Sequence, residues 1–262
     1  MDIAKADLIE GLAKGLAVLE SFDTERQRLN ATLTAQRTGL TRAAARRHLL
    51  TLAHLGYLES DGRYFWLSAK VLGFSGSYLA SARLPRALQP SLNRLASVAP
   101  ESFSAVVLDA HEVVIVARAG SDRSLFTTVS GRVTAYGLHM GARLPAHATS
   151  TGRVLLAAKS RSDFTTWMKG RTLQRMTPLT TVEPRAFRAR VEQVRRDDYC
   201  LACEEHELGV YALAVPLRNA SGTTVAALNA VATHGRITSA ASIQKELLPL
   251  LQDTARELRP LL

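Results

Sequence analysis

Arg42, Arg46 and Arg47 fall within one short run, RAAARRHLLTLAHL, and Arg26, Arg28 and Arg37 precede them, with no acidic residue between Glu25 and Glu59. A guanidinium pairs bidentately with guanine or grips a phosphate, so this window has the chemistry of a nucleic-acid surface. A second cluster, Thr149, Ser150 and Thr151, opens the segment TSTGRVLLAAK, whose pattern predicts a helix. Hydroxyls and amides at a helix start suit an anion. A third, Cys200, Cys203 and His206, spells C-x-x-C-x-x-H, side chains of the kind that bind zinc. Structural zinc takes four ligands, usually as two spaced pairs, and the sequence offers no second pair. Residues three apart on an extended strand also point to opposite faces. No metal and no cofactor are expected. Ser150 and Cys203 are of nucleophile type, yet neither sits in a G-x-S-x-G elbow, and no phosphate-binding glycine loop occurs. A hydrolase is therefore the alternative reading, not the leading one.

The elements that must carry these groups follow from pattern and composition. With 262 residues, 47% hydrophobic and 21% charged, the chain has room for one large domain or two ordinary ones. No apolar stretch is long enough to cross a bilayer, and MDIAKADLIEGLAKG lacks a basic segment followed by an apolar run. A cytoplasmic protein with no membrane partner is expected. Two cysteines so close in sequence imply no disulfide framework. The formal charge of +10 is unevenly spread: through Ser68 there are nine Lys plus Arg against eight Asp plus Glu. Local clustering, rather than net charge, supports DNA.

Leu8 to Phe22 places Leu8, Leu12, Leu16 and Leu19 at helical spacing, a stripe expected in the core. A short helix is predicted from about Thr32 to Thr38, ended by Gly39. Thr41 caps a third helix that Gly56 ends, with Ala45, Leu49 and Leu52 on one side and Ala43, Arg46, Arg47 and His54 on the other. YLESDGRYFWLS then reads as a hairpin turning at Ser60 to Arg63. Helix, helix, turn, helix and hairpin make a winged helix, whose third helix enters the major groove.

Beyond it, 69–99 reads as a helical linker interrupted at Pro85 and Pro90. SFSAVVLDA and EVVIVARAG predict paired antiparallel strands, Arg185 to Arg196 is amphipathic, and VYALAVPL and TVAALNAVAT flank a turn at Asn219 to Gly222. A last helix is predicted from Ser239 to Leu258. The fold class expected is α+β in three parts: 1–68 a winged helix-turn-helix, 69–99 a linker helix region, and 100–262 an α/β domain with a central antiparallel sheet.

Thr38 to Leu79, TGLTRAAARRHLLTLAHLGYLESDGRYFWLSAKVLGFSGSYL, strongly resembles the winged-helix half of the isocitrate-lyase-regulator (IclR) family. GLAKGLAVLESFD, LPAHATSTGRVLLAA, ACEEHELGVYALAVPLRNASG and VAALNAVATH resemble further segments of that family in order, so nearly the whole chain is covered. The AAARR helix and FWL wing are most similar to the branch controlling aromatic-acid catabolism through the β-ketoadipate route. The resemblance implies a GAF-like effector domain and a homodimer or tetramer on a pseudo-palindromic promoter site in double-stranded DNA. It also implies altered DNA or RNA polymerase contacts when a small aromatic or other organic acid binds. DNA-binding residues are then expected at Thr41, Arg42, Ala43, Arg46 and Arg47, with Arg63 and Tyr64 on the wing. By the family pattern, effector-binding residues are Arg118, Thr149, Ser150, Thr151, Cys203, Glu204, Val210, Ala212, Asn229 and Val231. Val210, Ala212 and Val231 stand where relatives that bind hydrophilic acids carry polar side chains, which suits an aromatic ring. His139 and His147 are expected in the pocket or core. The second helix, ATLTAQRTG, departs from the family, which places a glutamate and then an aliphatic residue near Leu33 and Thr34. An adaptor that kept the winged helix as a protein-binding surface is the third reading, and the arginine face argues against it.

Overall fold

The computed structural model describes residues 3–23, 26–120, 138–233 and 239–262, so Glu25, His234 and the ends of some predicted segments lie outside the described residues. The chain divides into two compact units, Met1–Ser81 and Ala82–Leu262.

In the first unit, α1 (Glu10–Glu20), α2 (Ala31–Thr38) and α3 (Arg42–His54) precede a hairpin of β1 (Leu58–Ser60) and β2 (Phe65–Leu67). Side chains at the helix starts satisfy amides that have no partner within the helix: Asn30 accepts from Thr32 N and Leu33 N, and Thr41 from Ala44 N. Gly39 turns the chain between α2 and α3 at φ +70°, a left-handed conformation that costs glycine little. The hairpin pairs Leu58 with Leu67 and Ser60 with Phe65. Leu29 adds a one-residue third strand by exchanging two backbone hydrogen bonds with Phe65, at 3.0 and 2.8 Å.

The stripe on α1 requires a correction. Leu8, Leu12 and Leu16 are exposed and Leu19 is half buried, while Val18 and Phe22 enter the core with Leu29, Leu49, Leu52, Leu58 and Phe65. Helical spacing identifies residues that share a face, and here α1 turns the other face to α3. In α2, Thr34 is fully buried and its Oγ1 has no hydrogen-bond partner among the described residues. A buried hydroxyl left unpaired is costly, and valine has nearly the same shape. Thr34→Val is therefore expected to raise the unfolding free energy by about 1 kcal/mol, read from a shifted denaturant midpoint.

The stretch 69–99, expected as one linker, falls in both units. Its α4 (Leu72–Ser81) belongs to the first, where Phe74 stacks on Tyr57 with ring centroids 5.7 Å apart. Its α5 (Arg83–Val98) belongs to the second, because Leu88, Leu92 and Leu95 are buried against the sheet.

The sheet of the second unit is antiparallel, in the order β5 (Arg143–Pro145), β4 (Glu112–Ala119), β3 (Ser102–Asp109), β8 (Thr224–Thr233), β7 (Val210–Arg218), β6 (Cys200–Cys203). Successive strand residues alternate between faces, which sorts the side chains into two layers. Phe103, Ala105, Leu213, Val215, Leu228 and Ala230 face α5 and α9 (Ala240–Leu258). Val106, Ala214 and Ala227 face the other way, toward α6 (Ser150–Ala157), α7 (Arg161–Met168) and α8 (Pro184–Asp197). Close packing there depends on Gly152: a Cβ at that position would lie 2.0 Å from the Ala146 carbonyl oxygen. No described helix is long and apolar enough to cross a membrane.

Candidate functional site

Two groups of residues carry the chemistry, one in each unit. On α3, Ala45, Leu49 and Leu52 are buried, which leaves Arg42, Ala43, Arg46 and Arg47 exposed. None of these three guanidiniums forms an ion pair with a described residue. The other arginines of the acid-free window are used within the fold, since Arg37 pairs with Asp23 and Arg28 with Asp61. Thr41 sits at the cap, its hydroxyl accepting from Ala44 N at 3.2 Å.

The wing is braced internally. The Asp61 carboxylate accepts from Tyr64 N at 2.7 Å and Arg63 N at 2.9 Å, and these backbone donors hold it below the usual carboxylate range. Arg28 lies over the Trp66 ring at 4.6 Å and the Tyr64 ring at 5.8 Å, while Arg63 approaches the opposite wing ring, Tyr64, at 5.4 Å. Arg63 is exposed, whereas Tyr64 is half buried among these contacts. Sequence reasoning counted Arg28 in the basic window without its bracing role, for which the aromatic residues of the wing were the available signal.

In the second unit a cavity of about 630 Å³ opens on the α6 side of the sheet. Its floor is set by register. Arg118, Ser104 and Asn229 form one row across β4, β3 and β8, and Ser102, Val231, Ala212 and Ala202 form the next across β3, β8, β7 and β6. Val106, Ile115 and Val210 add apolar surface. Ala148, Thr149, Ser150 and Thr151 bring the start of α6 to the wall, and Glu205, His206 and Glu207 close another side, with Leu138 and Leu144.

Eight of the ten sequence-derived effector positions thus share one cavity, Arg118, Thr149, Ser150, Thr151, Val210, Ala212, Asn229 and Val231. Cys203 and Glu204 are corrections, because neither lines it. Cys203 lies one residue after Ala202 on β6 and so faces the other way. Glu204 begins the following turn at φ +55°, its carboxylate accepting from Gly209 N at 2.9 Å. Sequence reasoning missed Ser102, Ser104 and the Glu205 to Glu207 turn, whose orientation depends on strand parity and on the turn.

At the α6 start, the Thr149 hydroxyl accepts from Gly152 N at 3.1 Å. Ser150 Oγ is buried with no hydrogen-bond partner among the described residues. Below the wall, Arg153 and Glu205 form a buried bidentate ion pair; Arg153 also donates to the His147 carbonyl at 3.2 Å, and Glu205 accepts from Thr181 N at 2.9 Å. Burial opposes both charges, but the pairing prevails: it raises Arg153 and lowers Glu205 from their ordinary values.

The thiol and imidazole groups of the C-x-x-C-x-x-H string are not brought together. Cys200 is buried in the core on the α6 side, its thiol pushed up to about 11 by burial. Cys203 is raised by burial as well, and His206 lines the cavity. Among the described residues no group of three His, Cys, Asp or Glu is placed to hold a metal ion. His139, expected in the pocket or core, is exposed. Burial lowers both His147 and His206, so both are neutral in the fold. The unfolded chain takes up these protons below pH about 6.5, so stability present above that value is lost as pH falls toward the depressed folded values. The thermal midpoint is expected to drop between pH 7.5 and 5.5, and a flat profile over that range would contradict this assignment.

The fold and both groups of residues agree with comparisons to known proteins. A model of the IclR helix-turn-helix domain matches residues 11–62, and one of the bacterial transcriptional regulator IclR C-terminal domain matches residues 76–259. The chain is 51% identical over 260 residues to the p-hydroxybenzoate hydroxylase transcriptional activator of Acinetobacter baylyi, covering 99% of this chain and 94% of that one. It is 48% identical to the Pca operon regulatory protein of the same organism, covering 99% and 91%. Among solved structures, the inducer-binding domain of the PobR transcription factor from Acinetobacter, a double mutant in complex with 3-hydroxybenzoic acid, superposes with a TM-score of 0.61 at 46% identity. That match covers 68% of this chain and 98% of that one. With its winged helix and its effector-type domain both matched, the chain belongs to the IclR family of bacterial transcriptional regulators.

Proposed function

We propose that this regulator binds duplex promoter DNA through α3 and the wing, and that an aromatic carboxylate in the sheet cavity changes that binding. One observation carries the effector reading: the start of α6, with the unpartnered Ser150 hydroxyl, meets a wall of Val106, Ile115, Val210, Ala212 and Val231. The helix start favours the carboxylate and the apolar wall favours the ring. Relatives named for p-hydroxybenzoate hydroxylase and Pca control support the same chemistry. Thr41, Arg42, Ala43, Arg46, Arg47, Arg63 and Tyr64 are the DNA-contacting set. The exposed Leu8, Leu12 and Leu16 on α1 support a homodimer or higher assembly in the cytoplasm. The hydrolase alternative loses ground: no described base pairs with Ser150 Oγ, and the Cys203 thiol is raised rather than lowered. Calorimetry with benzoates of varied substitution tests the effector reading. Saturable binding by an aromatic carboxylate is expected; binding of small aliphatic acids with no response to any aromatic would overturn it.

A further inference from the structure

Ser104 on β3 and Asn229 on β8 lie opposite one another in register, are 6% and 7% exposed, and line the cavity floor. Ser104 Oγ donates to Asn229 Oδ1 at 2.6 Å. Two buried polar side chains in a wall that also contains Val106 and Val231 carry a desolvation cost, which this one bond offsets only in part. The bond also fixes what the couple can do next. With Oδ1 occupied, the Asn229 amide offers Nδ2 as a donor, and no described residue accepts from it; with its proton committed, Ser104 Oγ offers lone pairs. The couple therefore presents one donor beside one acceptor. Arg118, across from Ser104 on β4, donates to the Leu138 carbonyl.

A phenolic hydroxyl has the complementary pair of functions, one donor and one acceptor on a single oxygen. A bare ring carbon would leave Nδ2 unpaired. A second carboxylate has acceptors alone, and would set them against the Ser104 lone pairs. We infer that Ser104 and Asn229 form a hydroxyl-reading subsite, and that the effector is a benzoate bearing a ring hydroxyl. The phenol donates to Ser104 Oγ and accepts from Asn229 Nδ2, while the carboxylate lies at the start of α6. This rests on the aromatic-carboxylate reading above and narrows it, setting hydroxybenzoates apart from benzoate and from benzene dicarboxylates.

The test is calorimetry on the full-length protein with benzoate, 3-hydroxybenzoate, 4-hydroxybenzoate and terephthalate, on wild type, Ser104→Ala and Asn229→Leu. Wild type is expected to bind one of the hydroxybenzoates at least about tenfold more tightly than benzoate, because a site with buried polar groups discriminates against a ligand that leaves them unpaired. In the variants that ratio is expected to fall to about twofold or less. Ser104→Ala removes a single oxygen and keeps the test available where Asn229→Leu does not fold. Terephthalate as the tightest ligand, or a ratio unchanged in Ser104→Ala, would overturn the inference. Equal binding of benzoate and both hydroxybenzoates by wild type would overturn it while leaving the aromatic reading intact. No binding of any of the four acids would remove the aromatic reading itself, and the inference with it.

Discussion

Arg153→Met is expected to cost the second unit about 3–5 kcal/mol, the loss typical of a buried ion pair from which one partner is removed. The Arg153 side chain is 2% exposed and Glu205 9%, so the abandoned carboxylate could not recover its hydration. What remains to Glu205 is the Thr181 amide. The thermal midpoint should fall by about 10 °C, given the few degrees per kcal/mol usual for a unit of this size. Replacing both partners, Arg153→Met with Glu205→Leu, should recover much of that loss, because two apolar side chains leave no charge stranded. The pH dependence has a definite sign. Glu205 is lowered by its pairing, so its contribution is present above the ordinary glutamate value of about 4.3 and is lost as pH falls through the lower folded value. Calorimetric melts of the wild type, single and double variants check all three statements. Equal midpoints for wild type and Arg153→Met would show that the pair contributes little.

The consequence reaches the cavity. Arg153 ties α6 to the His147 carbonyl, and Glu205 ties the turn that carries His206 to Thr181, where the Thr180 hydroxyl also donates to the Glu205 carbonyl at 2.7 Å. The ion pair thus positions two walls of the proposed effector site without lying in it on the arginine side.

Arg46→Ala together with Arg47→Ala is expected to lower affinity for the promoter site by about 100-fold or more, at about 1–3 kcal/mol for each side chain that reads a base. The basis is that these two and Arg42 have no ion pair among the described residues, while Arg28 and Arg37 are engaged within the fold. The single variants separate two roles. An arginine reading a base edge relaxes sequence preference when removed; one gripping phosphate weakens all sequences alike and reduces the salt slope by about one. Anisotropy titrations of matched and scrambled duplexes at several salt concentrations distinguish them. Arg28→Ala should act differently, by loosening the wing, since it lies against Trp66, Tyr64 and Asp61.

Local chemistry was the legible part of this sequence. Thr41, Gly39, Gly56 and the Ser60 to Arg63 turn announce caps and a hairpin through their own side chains or their lack of one, and each falls where its neighbours alone would place it. Position relative to distant residues was not legible. The α1 leucines share a face by spacing, but spacing does not say which face α3 meets, and Val18 is the residue it buries. Leu29 joins the wing by a single bridge inside a polar segment, too short to leave a period. Parity governs the cavity in the same way. Ala202 and Cys203 are equally plausible until β6 is paired with β7, after which one faces the cavity and the other does not. Ser104 becomes notable only when register sets it against Asn229, 125 residues away.

The most direct measurement of the central claim is a fluorescence-anisotropy titration of the full-length protein with its own upstream DNA and with a scrambled duplex. Both are run at fixed physiological salt, with and without the hydroxybenzoates. Preference for the upstream duplex, shifted by a hydroxybenzoate, is the expected result, because an effector alters DNA binding when its affinity differs between the DNA-competent state and its alternative. Equal binding to both duplexes, untouched by any aromatic acid, would contradict it.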